Sequence, residues 1–203
     1  MKIIGIGRNY SEHARELNHP LPTSPIIFLK PDTCLLKNGD PFYLPDFNSS
    51  IEYETELVIK ISKEGKHITE AFAPLYYEEI TIGLDLTARD LQNSLKDRGL
   101  PWELCKAFDH SAPMGNFHSV KEFKNIQNLG FSLFLNGVKV QSGRSEDMIF
   151  NINYLISYIS TRITLKKGDL IMTGTPAGVG PIKIGDLLEA YLEETLVLTT
   201  PIL

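Results

Sequence analysis

Residues 51–59 read Ile51-Glu52-Tyr53-Glu54-Thr55-Glu56-Leu57-Val58-Ile59. Three carboxylates alternate with Tyr53 and Thr55 and lead directly into an apolar run. Successive side chains of a β-strand point to opposite faces, so Glu52, Glu54 and Glu56 would share one face. Like charges that close repel, and Glu is depleted in strands, so a plain strand gains nothing from the pattern. A divalent cation removes the conflict, because hard cations take carboxylate oxygens as ligands. Asp85 is the candidate for a further ligand, as the only charge in Ile82-Gly83-Leu84-Asp85-Leu86-Thr87. Taken singly, each acid also suits a solvated edge strand or a strand end. Taken together, they point to a metal.

Composition narrows the class. A chain of 203 residues with 42% hydrophobic and 22% charged residues supports an ordinary packed core, and one domain over residues 1–203 is expected. The net charge of -5 and pI of about 5.6 argue against nucleic acid as a partner. No apolar run reaches the length of a membrane span, and no signal peptide precedes the first strand-like segment, so the expectation is a cytoplasmic protein. Cys34 and Cys105 lie far apart without metal-type spacing, which suits reduced thiols.

Outward from the acidic stretch, Lys2 to Gly7 reads as a strand entering a turn. Its Gly5-x-Gly7 is a weak likeness to a dinucleotide loop, lacking the third glycine. Asn9 or Ser11 caps a short helix on which His13 and Glu16, three apart, share a face. A carboxylate beside an imidazole orients it and raises its basicity, giving a base that works near neutral pH. On this segment alone, a polar surface histidine is the simpler reading. Ile26 to Lys30 is strand-like and stops at Pro31. Thr69 to Tyr77 reads as a short helix capped by Thr69, and Ile80 to Leu86 as a strand. A helix opens at Thr87 and runs to about Lys96, with Arg89 and Gln92 on one face beside Asp85. Lys106 stands between Cys105 and Ala107-Phe108, an apolar setting in which an ammonium either snorkels or faces an anionic site. Asn136-Gly137 marks a hairpin. Asp147 to about Arg162 reads as helical, with a core stripe of Ile149, Ile152, Ile156 and Ile159. Thr173-Gly174-Thr175-Pro176-Ala177-Gly178-Val179-Gly180 is a loop able to hold a carboxylate or phosphate through backbone N–H groups.

Five ordered motifs then carry a resemblance. They are Gly7-Arg8-Asn9-Tyr10-x-x-His13-x-x-Glu16, Tyr53-Glu54-x-Glu56-Leu57, Asp85-Leu86-Thr87-Ala88-Arg89-Asp90-Leu91-Gln92, Lys106-Ala107-Phe108, and Thr173-Gly174-Thr175-Pro176-x-Gly178-Val179-Gly180. Together they resemble the fumarylacetoacetate hydrolase family over nearly the whole chain, and most closely its acylpyruvate hydrolase and oxaloacetate decarboxylase branch. Gly99-Leu100-Pro101-Trp102 and Met148-Ile149-Phe150 are similar to that branch as well. The resemblance implies an α+β fold, a mixed β-sheet roll of the family's C-terminal-domain type with a few flanking helices, usually as a homodimer. It implies Mg²⁺ or Mn²⁺ held by Glu54, Glu56 and Asp85, with Glu52 a neighbour and not a ligand. It assigns catalysis to His13, Glu16 and Lys106, and substrate contacts to Arg8, Arg89, Gln92 and Thr175. The implied activity is metal-dependent hydrolysis of the C–C bond of acylpyruvates, with decarboxylation of oxaloacetate as a possible companion. Isomerisation, hydration or decarboxylation of unsaturated 2-oxo dicarboxylates is the alternative within the enzyme class. A 2-oxo acid binding protein with a vestigial site is the alternative outside it.

Overall fold

A computed structural model of the chain describes residues 1–12, 21–47 and 50–203. Its strands in chain order are β1 (Ile3–Gly7), β2 (Ile26–Lys30), β3 (Leu35–Lys37), β4 (Ile51–Tyr53), β5 (Thr55–Ile61), β6 (Tyr77–Leu84), β7 (Thr87–Ala88) and β8 (Ala112–Met114). They continue as β9 (His118–Ser119), β10 (Gly130–Leu135), β11 (Val138–Arg144), β12 (Leu170–Met172), β13 (Gly180–Pro181), β14 (Leu187–Leu192) and β15 (Thr195–Pro201). Three α-helices among the described residues follow: α1 (Arg89–Asp97), α2 (Glu103–Lys106) and α3 (Ile152–Ser160). The result is the expected curled mixed β-sheet with a few helices.

Among the described residues, one sheet has eight strands in the order β2-β1-β12-β5-β6-β8-β3, with β9 added to β6. β1 and β12 pair in parallel, as do β3 and β8, while the remaining pairs are antiparallel. A four-stranded sheet, β11-β10-β14-β15, packs across it. A three-stranded sheet, β13-β4-β7, completes the roll. Strand alternation sorts the large sheet's side chains: Leu57, Ile59, Ile61, Ile80, Ile82 and Leu84 enter the main core with Leu133, Leu188 and Ile156. Val58, Ile3, Met114, Leu170 and Met172 form a smaller cluster on the other face.

The acidic stretch is not one strand. β4 belongs to the three-stranded sheet and β5 to the eight-stranded one, with the switch at Glu54. The neighbouring chain switches at the same level, leaving the large sheet after Leu84 and joining β4 as β7 at Thr87. The Asp85 N–H donates to the Glu54 carbonyl at 2.8 Å, so the two crossings are tied together. The metal candidates therefore sit where paired strands pass from sheet to sheet.

Other expectations need adjustment. The segment expected to be helical from Thr69 is a 3₁₀ run, Glu70–Tyr76, containing Pro74, and the Thr69 side chain makes no capping bond. The helix from Thr87 begins at Arg89, because Thr87 and Ala88 are held in β7. The long helix expected over residues 147–162 is confined to α3, where Asn151 caps Tyr154 N–H. Ile149 lies before it, its N–H donating to the Asn9 carbonyl, while Ile152, Ile156 and Ile159 form the buried stripe.

Gly5-x-Gly7 has a packing explanation. Gly5 pairs with Phe28 across β1 and β2, and a Cβ at Gly5 would overlap the Phe28 ring. At Gly7 a Cβ would come within 3.1 Å of the Trp102 ring. Both glycines let an aromatic ring lie flat on β1. Gly5→Ala is expected to destabilise the fold by about 1–3 kcal/mol through overpacking, read as a lower urea midpoint at unchanged slope.

Candidate metal centre and its cleft

Glu54, Glu56 and Asp85 are all buried, and one carboxylate oxygen from each lies within 4.8 Å of the others. Glu52 is outside this group, as expected, and accepts from Arg89 Nε at 2.6 Å. Glu56 projects from the face of β5 shared with Val58, opposite the main core.

Three cations answer most of this charge. Lys106, nearly fully buried, donates to Glu54 Oε2 at 2.8 Å, Asp85 Oδ2 at 2.5 Å and Thr87 Oγ1 at 2.6 Å. Burial alone would lower its ammonium, but Asp85 and Glu54 outweigh that and hold it above the usual lysine range. Lys30 has no exposure to solvent; its Nζ lies 2.7 Å from Asp85 Oδ1 and donates to the Ser111 carbonyl and hydroxyl at 3.0 Å. Arg89 Nη2 donates to Glu54 Oε1 at 2.6 Å and Nη1 to Gln92 Oε1 at 2.5 Å. Desolvation works against the guanidinium, yet the Glu54 and Glu52 charges raise it above its normal value.

Glu56 is the exception. Its Oε2 accepts from Gly174 N–H at 2.7 Å, and no cation pairs with it among the described residues. Burial, then the charges of Asp85 and Glu54, push its pKa well above the usual carboxylate range. A divalent cation among these three acids would supply the missing charge, and an all-oxygen donor set suits Mg²⁺ or Mn²⁺. The residues fit the ion. Gly174 has φ +101°, and a Cβ there would come within 2.7 Å of Asn9 Cβ, so the loop needs glycine to bring its N–H to Glu56. The carboxylate this loop holds is the chain's own.

Around the triad lies a cleft lined by Arg8, Phe28, Arg89, Gln92, Trp102, Lys106 and Thr175 among others. The structure thus brings together every expected site residue that it describes. His13 and Glu16 lie outside the described residues. Gln92 Oε1 accepts from both Arg89 and Lys96, which fixes the amide's orientation and turns its NH₂ away from the two cations. Thr175 accepts from Gln141 Nε2 at 2.9 Å, so its own hydroxyl proton remains for another acceptor.

Sequence reading did not single out Lys30, Lys96, Thr87 or Gln141. Gln141, 2% exposed, accepts from Thr55 N–H and donates to Thr175 Oγ1 and the Pro176 carbonyl, joining the acidic strand to the glycine loop. Lys30 alone offered a local signal: a lysine ending the apolar run Ile26-Ile27-Phe28-Leu29 with no acid beside it.

Comparison with known proteins agrees with this geometry. The family model described as fumarylacetoacetate (FAA) hydrolase C-terminal matches residues 2–202. The chain is 40% identical over 194 residues to the mitochondrial oxaloacetate tautomerase FAHD1 of Bos taurus, covering 96% of this chain and 88% of that protein. It is 40% identical over 189 residues to the mitochondrial oxaloacetate decarboxylase of Dictyostelium discoideum, covering 93% and 87%. Among solved structures it is similar to fumarylpyruvate hydrolase from Pseudomonas aeruginosa in complex with Mn²⁺ and pyruvate, with TM-score 0.94, 32% identity, and coverage of 100% and 89%. The chain belongs to the fumarylacetoacetate hydrolase family.

Two outcomes follow from the charge arrangement. Mg²⁺ at a hundredfold excess over its dissociation constant is expected to stabilise the fold by about 2.7 kcal/mol. Glu56→Gln, which removes the uncompensated charge, should melt no lower than the parent in chelator and lose the metal-dependent rise in Tm. Lys30→Met leaves Asp85 Oδ1 buried without its cation and is expected to cost about 3–5 kcal/mol by urea unfolding.

Proposed function

We propose, with that family membership as premise, that the protein is a divalent-metal-dependent enzyme acting on small 2-oxo acids. The reaction best supported is cleavage of acylpyruvates with water, giving a carboxylate and pyruvate. The observation that carries this reading is the buried triad Glu54, Glu56 and Asp85 with Lys106 bonded to two of its members. A Mg²⁺ or Mn²⁺ ion held by those carboxylates would act as a Lewis acid toward the carboxylate and keto oxygens of a 2-oxo acid, favouring its enolate.

The chain's own groups supply the remaining steps. Lys106, kept charged by Asp85 and Glu54, offsets negative charge as it develops on the substrate. The NH₂ of Gln92 and the hydroxyl of Thr175 donate to substrate oxygens and orient them. Arg89, with all three guanidinium nitrogens on protein groups, acts through Glu54 and Gln92 as a positioning residue. His13 takes a proton from the attacking water, with Glu16 orienting the imidazole. The water oxygen bonds to the acyl carbon, the bond from that carbon to the pyruvate methylene breaks, and its electron pair becomes the enolate. The proton taken from water returns to the methylene carbon, giving pyruvate.

A second reading is supported by the relatives named for oxaloacetate. Tautomerisation moves a proton between C3 and the keto oxygen, and decarboxylation breaks the C3–C4 bond with release of CO₂. Tautomerisation passes through the enolate of oxaloacetate itself and decarboxylation through the enolate of pyruvate, and neither needs an activated water. The histidine base therefore separates hydrolysis from decarboxylation, while tautomerisation would still use a base at C3.

His13→Ala is expected to slow acetylpyruvate cleavage by on the order of 10²-fold or more, with a much smaller effect on oxaloacetate decarboxylation. Wild-type rates on acetylpyruvate in this variant would remove His13 from the mechanism. Lys106→Ala should depress both activities, and turnover that persists in chelator would end the metal reading.

A further inference from the structure

Two cations in the cleft form no ion pair among the described residues. Arg89, Gln92 and Lys96 stand three and four residues apart on one face of α1, a line leading away from the metal acids. The charge of Arg89 is answered by Glu52 and Glu54. Lys96 has no such answer: its Nζ donates to Gln92 Oε1 at 2.9 Å and lies 5.6 Å from the centroid of the Trp102 ring, and it forms no ion pair among the described residues. Arg8 lines the same cleft, also without an ion-pair partner among the described residues. Its backbone sits at φ +60°, a left-handed conformation that a non-glycine residue adopts at a cost and that is common at ligand sites.

Lys96 and Arg8 are close enough to act on each other. Burial, then the positive charges of Arg89 and Arg8, lower the Lys96 ammonium to about 8. Two cations held together in a partly buried cleft form a site for an anion. Helical side chains lean toward the N-terminus, and Lys96 reaches back one turn to Gln92, so it lines the same cleft as the triad.

We propose that Lys96, together with Arg8, reads the distal carboxylate of a dicarboxylic 2-oxo acid. The enzyme then selects substrates charged at both ends over those that end in an alkyl group. This rests on the 2-oxo acid reading of the triad and adds the identity of the substrate's far end. Lys96 is a specificity-determining residue in this scheme, while the bond-breaking groups stay at the other end of the cleft.

The test compares 2-oxoglutarate with 2-oxopentanoate, which have the same number of carbons and differ in ending as carboxylate or methyl. Calorimetry on the Mg²⁺-loaded protein should show at least about a tenfold preference for the dicarboxylate, the worth of one charged hydrogen bond. Lys96→Met should erase that preference by weakening 2-oxoglutarate about tenfold more than 2-oxopentanoate, and Lys96→Arg should keep it. In turnover, Lys96→Met should raise KM for fumarylpyruvate about tenfold more than KM for acetylpyruvate, any change shared by both substrates reporting the lost bond to Gln92. Equal affinity of the wild type for the two ligands overturns the proposal, as does an equal loss on both in Lys96→Met. Absence of turnover with the binding preference intact would instead overturn the hydrolase reading and support this one.

Discussion

Three buried carboxylates close enough to share an ion are the constraint on which this structure turns. An isolated buried carboxylate is costly, and three together are tolerable only with fixed positive charge around them. The chain supplies it from three directions: Lys30 at the end of β2, Lys106 at the end of α2, and Arg89 at the start of α1. Each cation meets its acid at 2.5–2.8 Å. Among the described residues Glu56 has a single backbone N–H and no cation, and there the arrangement calls for one more positive charge. Structural and catalytic demands coincide at that residue.

The sheet architecture makes the cluster possible. Inside a regular antiparallel pair, acids on adjacent strands have no room for three cations between them. Here β4 and β5 part at Glu54, and β6 and β7 part beside it, so the backbone opens where the side chains must be served. The Asp85 N–H to Glu54 carbonyl bond keeps the crossing from splaying. Gln141 then fastens the crossing to the glycine loop that carries Thr175. Small displacements of that loop would reach both Glu56 and the cleft wall, since Gly174 and Thr175 are adjacent.

Much of the site could be read from the chain because its acids are spaced by strand geometry, and the alternation that exposes them survives the break at Glu54. The break itself left no trace in the sequence, since both halves remain extended. Glu52 shows the limit of periodicity: it shares the spacing of Glu54 and Glu56, yet it lies in the other sheet and turns to Arg89. Lys30 and Gln141 were hidden for a different reason. Their partners lie 55 and 86 positions away in sequence, at Asp85 and Thr55, so only the fold brings them to the site. Helix extent was misjudged where a competing partner took the backbone, as β4 did at Thr87 and Ala88, and Asn9 at Ile149.

The way the acids are pinned bears on which ions the centre accepts. Asp85 has one oxygen on Lys30 and the other on Lys106; Glu54 has one on Arg89 and the other on Lys106. Glu56 has one on Gly174. A calcium ion commonly takes a carboxylate by both oxygens and fills six to eight positions with flexible geometry. Asp85 and Glu54, with both oxygens engaged by cations, would resist that wrapping, and the set would favour a smaller ion that keeps some of its water. The lysines and the arginine that neutralise Asp85 and Glu54 would also limit how those two carboxylates could wrap an ion.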